Sequence, residues 1–245
     1  MQKRHTPMRA RKVEIKYGRQ LRQIATYIDS IIKGFDVYDQ DVYPSIITAL
    51  RRYAHTLDEW AFSAAGRVLT DVALRDEKTW MIYAKDMSKG LRDQIRNTDI
   101  GVVYQQLLSE QVSLIKSLPL NAANRVQDLA SRAISEGIRS EEIAGLIIAT
   151  GHVTKSRANT IARTEISKAS TVFTQARAKS IGSQGYIWRD SGDGDVRHDH
   201  HLLNGTFIHW DSPPIVDSKR GIRAHAGCIY NCRCYPEPVI PEDLK

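Results

Sequence analysis

The chain reads as an α+β protein, with a mostly α-helical N-terminal region and a small β-containing, loop-rich C-terminal module. Three observations predict this. Apolar residues recur at helical spacing from Leu21 to Ala176. After Gly185 the texture changes to short aromatic and β-branched runs bounded by Gly, Asp and Pro. That last stretch also holds five of the eight histidines, five of the eight prolines and all three cysteines, a composition suited to loops and a local site rather than another helix. The organisation expected is a basic flexible arm over 1–18, an extended α-helical region over 19–183 and the module over 184–245.

The elements follow in order. Leu21, Ile24, Ala25, Ile28 and Ile31/Ile32 form one amphipathic stripe that stops at Gly34. Pro44 suits a first helical turn and opens a long second stripe through Ile46, Ile47, Leu50, Tyr53, Leu57, Trp60 and Ala64 to Val68. Trp80, Tyr83, Ala84, Met87, Leu91 and Ile95 carry a third helix, and Val102 through Leu118 a fourth that ends before Pro119. Val126–Ile134 predicts a further helix closing at Gly137. Ser140 with Glu141 and Glu142 starts the next, placing acids at the positive end of the helix dipole and closing at Gly151. Thr154 caps the last, which ends near Gly182. Residues 186–189 and 206–210 read as strands, with Tyr235 and Val239 in a third.

At 245 residues and 42% apolar content, the chain can bury a core without disulfides. It has no apolar run of about 18 residues, so no membrane span is expected. Met1-Gln2-Lys3-Arg4 has no apolar segment behind it, so neither is a signal peptide. Three closely spaced cysteines suit a reducing compartment and a local site. The net charge of +7 resides in residues 1–22, where eight Lys or Arg face only Glu14. Lys3, Arg4, Arg9, Arg11, Lys12 and Lys16 are the candidate contacts to nucleic acid or to an acidic protein surface; the alternative is a solvated terminus.

Cys232 and Cys234 flank Arg233, so in extended chain both point to one side and can reach one ion. His200 would add a nitrogen, and Cys228 or, alternatively, His225 would complete a zinc tetrahedron. Such a staple would suit a module of about 60 residues with a thin core. The other reading is three buried, small apolar cysteines. Asp190, Asp193, Asp195 and Asp199 do not keep calcium-loop spacing and read as a turn, in which Asp190 or Asp195 would pair with Arg197 or Arg233. The cluster of His198, His200, His201, His209 and His225 with aspartates also admits an enzyme, a metal-dependent nuclease. Arg163 and Glu165 diverge by about 200° on a helix, so one of them is expected to dock the module.

Taken together, Ile161-Ala162-Arg163-Thr164-Glu165, Trp188, Arg197-x-x-His200-x-x-Leu203-x-Gly205 and Gly227-x-x-x-Asn231-Cys232-Arg233-Cys234 with Pro236 resemble the phage Mu F-like head morphogenesis family, the minor capsid proteins. The resemblance covers about residues 140–240. It implies a low-copy virion head protein, assembled in the host cytoplasm, that sits at the portal or capsid interior and acts in assembly, DNA packaging or ejection. The partners implied are the portal protein and the major capsid or scaffold protein, with DNA at the basic arm. Arg163, Thr164, Glu165, Trp188, Arg197, Gly205, Asn231 and Arg233 carry the motif. Domains resembling this family also occur fused to toxins, which leaves the toxin-like enzyme as the alternative.

Overall fold

Helix α1 (Arg11–Lys33) begins inside the segment expected to be a flexible arm. Val13 and Tyr17 are buried in line with Leu21, Ile24, Ile28 and Ile32, so the apolar stripe starts one to two turns earlier than the dense charge suggests. Lys12, Lys16 and Arg19 occupy its exposed face. The structure, a computed structural model, describes residues 10–136 and 138–241. Lys3, Arg4, Arg9 and the helix stop expected at Gly137 lie outside the described residues.

The expected second helix is two, α2 (Tyr43–Thr56) and α3 (Asp58–Tyr83). Asp58 and Glu59 stand in the first turn of α3, acids that favour starting a new helix dipole there. The stretch from Trp80 to Ile95 is likewise divided, because Ser88 caps α4 (Lys89–Arg96) by accepting from the Leu91 N–H at 3.3 Å.

Helix α5 (Gly101–Glu136) instead runs straight through Pro119. Burial of Ile115, Leu118, Ala122, Ala123 and Val126 on either side offsets the roughly 3 kcal/mol that an interior proline costs. After α6 (Ser140–Ile148), α7 (Thr150–Ser180) starts before Thr154. The Thr154 hydroxyl donates to the Thr150 carbonyl at 2.8 Å and so lies within the helix rather than capping it. Among the described residues no helix is long and apolar enough to cross a membrane.

Strand β1 (Gly185–Arg189) is central in an antiparallel sheet, flanked by β2 (Phe207–His209) and β5 (Tyr235–Pro238), with Tyr186 opposite Ile208 and Trp188 opposite Pro236. Pro236 and Pro238 are tolerated because β5 is an edge strand. Gly185 is required where β1 crosses β2, since a Cβ there would run into the Ile208 carbonyl. A two-stranded sheet pairs β3 (Ile215–Asp217) with β4 (Ile222–Arg223). A short helix, α8 (His198–Leu203), lies between β1 and β2 and was not expected from the sequence.

Residues 10–14, 67–107 and 163–241 form one compact unit, and residues 15–66 and 108–162 another. In the first, the module does not close its own core. Tyr186, Trp188, Trp210, Val216 and Cys232 share one cluster with Trp80 and Ala84 from the end of α3 and its continuing turn, with Leu91 and Ile95 of α4, and with Ala178 of α7.

The same helices are cross-linked by Arg177. Its guanidinium lies 2.9 Å from the Asp76 carboxylate and donates to the Ile95 carbonyl at 2.8 Å, while the Thr174 hydroxyl donates to Asp76. Burial lifts the Asp76 carboxyl from 3.8 to about 6, against the lowering pull of Thr174 and Arg177. A carboxyl raised in the fold contributes its full stability below its unfolded value near 4 and loses that contribution as pH rises through about 6. Arg177→Met removes a partner that lowers this value. It is expected to cost about 3 kcal/mol at pH 7 and less near pH 4, as measured by urea unfolding; equal costs at both pH values would contradict this account.

Candidate functional site

Residues at both ends of α8 and along it are tied to their neighbours. Arg197, at its N-cap, donates to the Tyr230 carbonyl at 2.9 Å and lies 4.7 Å above that ring. Asp199 accepts the Ser218 N–H at 2.8 Å, and His201 meets Asp190 at 3.0 Å. The helix ends at Asn204-Gly205, where Gly205 at φ +84 donates its N–H to the Trp188 carbonyl at 2.8 Å. With its neighbours tied outward, His200 turns inward and is 2% exposed. Its ring packs edge-on against Trp188, with centroids 5.5 Å apart.

The cysteine segment approaches from the other side. Its turn places Asn231 in the left-handed region at φ +56, and the Asn231 N–H donates to the Thr164 hydroxyl on α7 at 3.0 Å. Arg233 points outward to Asp193 at 2.9 Å and Asp195 at 3.3 Å, while the flanking Cys232 and Cys234 are buried. Both sulfurs lie 3.5 Å from His200 Nδ1, and the three ligand atoms fall within 4.8 Å of one another. His200 Nε2 is buried and has no hydrogen-bond partner among the described residues.

The electrostatics follow from this proximity. The hydrogen bond from Cys234 holds the Cys232 thiol well below its ordinary range, with further help from His200, although burial opposes it. Cys234 is pushed up by the same bond and by desolvation. Negative charge is thus favoured on Cys232 over Cys234. Cys228 and His225 stand apart from the cluster. The Cys228 sulfur faces the Ala226 carbonyl at 3.9 Å, with its thiol pushed up to about 12 by burial. His225 Nδ1 meets the Tyr186 hydroxyl at 3.2 Å, and desolvation lowers its pKa. Among the described residues, those that could hold a metal together are therefore His200, Cys232 and Cys234.

Arg163 lies 3.6 Å from Glu14 and Glu165 is buried, while Thr164, between them, receives the module. A second tie, from the Thr171 hydroxyl to the Ala226 carbonyl at 2.7 Å, went unforeseen. It explains Gly227: at φ +81 the residue packs so closely on α7 that a Cβ would meet Ser167 Oγ at 2.7 Å and Thr171 Oγ1 at 2.9 Å. Beside these contacts lies a cavity of about 330 Å³, lined by Ser167, Ser170, Thr171 and Thr174 of α7 and by Cys232 and Cys234. In the acidic loop, Asp193 and Asp195 pair with Arg233, and Asp190 accepts the Gly192 N–H at 3.0 Å. Arg197 pairs with none of these aspartates, because Tyr230 engages it.

Residues 124–236 match the sequence profile of the family described as Phage Mu protein F like protein. A protein of Haemophilus influenzae described as an uncharacterized protein is 32% identical over 155 residues, which are 63% of this chain and 33% of that protein. The chain thus spans about a third of that relative's length. No solved structure matches.

The matched stretch contains both partners of the Thr164–Asn231 tie. Thr164→Val should cost about 1 kcal/mol by leaving the Asn231 N–H without its acceptor. Asn231→Val should cost about 1–3 kcal/mol by forcing a β-branched residue to positive φ, whereas Asn231→Gly should cost far less. Thermal unfolding of the three variants checks the order; a Gly variant as damaged as the Val variant would contradict it.

Proposed function

We propose that the protein, whose residues 124–236 match the Phage Mu protein F like family, is a minor head protein acting in head morphogenesis. In this reading it associates with the portal or the capsid interior, and contacts the major capsid or scaffold protein, during assembly in the host cytoplasm and in the finished head. The observation that carries the proposal is the position of the matched stretch, which takes in the end of α5, all of α6 and α7 and nearly all of the module. The physical character of the module supports a docking role. Its loops are clamped by Arg197 on Tyr230 and Arg233 on two aspartates, so its surface is preorganised for a partner rather than ordered on contact.

The DNA contact is carried by the opposite end of the chain. Lys12, Lys16 and Arg19 fall at i, i+4 and i+7 on the exposed face of α1, a basic stripe on a rigid element. Lys3, Arg4, Arg9 and Arg11 extend the same charge. Replacing Lys12, Lys16 and Arg19 together by Gln should flatten the slope of log K against log salt for DNA binding by about 2–3; an unchanged slope would remove this stripe from the interface. The head assignment is tested by isolating assembling heads from the parent phage. Co-purification of the full chain with portal rings is expected. Absence from heads, or cleavage of supercoiled DNA by the purified chain, would overturn the assignment.

A further inference from the structure

Tetrahedral zinc binds thiolate at about 2.3 Å and imidazole nitrogen at about 2.0–2.1 Å, which sets the nitrogen-to-sulfur separation across the ion at about 3.5 Å. His200 Nδ1 lies 3.5 Å from the sulfur of Cys232 and 3.5 Å from that of Cys234. We propose that these three atoms bind one zinc ion, with the fourth coordination position supplied by a water or incoming donor from the cavity that both cysteines line.

The ligands are positioned before any ion arrives. His200 is held from both ends of α8, by Arg197 on Tyr230 and by the Gly205 N–H on the Trp188 carbonyl. The cysteines are held by the Asn231 turn and by Arg233 on its aspartates. Two thiolates neutralise the dication, so the buried site carries no net charge and avoids the cost of an uncompensated ion. Their protons leave to solvent on loading. The cavity of about 330 Å³ that both cysteine residues line offers a route in for the metal and room for the fourth ligand. Three protein ligands with one open position differ from a closed four-ligand structural site, so an outside group can bind the ion directly. The inference stands apart from the head-protein reading, because it rests on these atoms alone.

The test uses the full chain, purified under reduction without chelator. Elemental analysis should find about one zinc per chain. Exchange into cobalt(II) should give thiolate-to-cobalt charge-transfer absorption with the visible bands of a tetrahedral ion. Cys228→Ser should leave both unchanged, whereas Cys232→Ser and Cys234→Ser should each weaken zinc binding by more than the roughly 10–100-fold typical of losing an outer-shell partner. If either cysteine variant fails to fold, the cobalt spectrum of the unaltered chain decides alone. A folded, reduced chain that takes up neither zinc nor cobalt overturns the site, as does a thiolate-cobalt spectrum that persists unchanged in Cys232→Ser.

Discussion

The structure depends on one constraint: strands of two to five residues cannot bury enough apolar surface to stand alone. Tyr186, Trp188 and Trp210 are large enough to anchor a core but too few to enclose one. The chain solves this by bringing Trp80, Ala84, Leu91 and Ile95 from about a hundred residues earlier into the same cluster. The Arg177–Asp76 cross-link then fixes the helices that supply those residues. It is a buried ion pair, and the cost of desolvating its two charges offsets much of their mutual attraction. Its further bond to the Ile95 carbonyl ties α7 to α4 at one of the residues that pack beneath the sheet.

Once the sheet is seated, the geometry of the site follows. Trp188 is buried in the shared core and also forms the wall against which His200 packs. Thr164 and Thr171 on α7 receive the Asn231 turn and the Ala226 carbonyl, which brings the cysteine segment to the same wall. The motif residues are therefore coupled mechanically although they are spread over seventy positions. Gly227 is there because α7 leaves no room for a Cβ, Asn231 because the turn needs positive φ, and Arg233 because the loop of aspartates needs a cation between them. The result is a rigid module at one end of the sequence and a basic helical stripe at the other.

Much of this was legible in the sequence, and the gaps have physical causes. The helical stripes announced themselves wherever apolar residues repeated at 3.6 spacing, and the strands at Tyr186 and Phe207 through their aromatic and β-branched runs. Boundaries failed where burial outran local preference, as at Pro119, or where charge concealed a stripe, as at Val13 and Tyr17. Helix α8 had no apolar period to betray it: it is held where Arg197, Asp199 and His201 are claimed by Tyr230, Ser218 and Asp190 in the folded chain. The convergence of His200 with Cys232 and Cys234 could be anticipated from the Cys-x-Cys spacing. The separate positions of Cys228 and His225 could not, since they depend on the turn at Gly227 and on Tyr186. Thr164 was obscured by the charges of its neighbours.

The central claim is that the module and helices α3 and α4 are one cooperative unit rather than a domain carried beside them. Native-state hydrogen exchange across the full chain tests it most directly. The amides of Ile187 and Trp188 on β1 should open with the same free energy as those of Ala84 and Ile95, because exposing either side breaks the same core. If the β1 amides exchanged through a markedly cheaper opening while those of α3 and α4 stayed protected, the module would be an independent appendage and the account would be wrong.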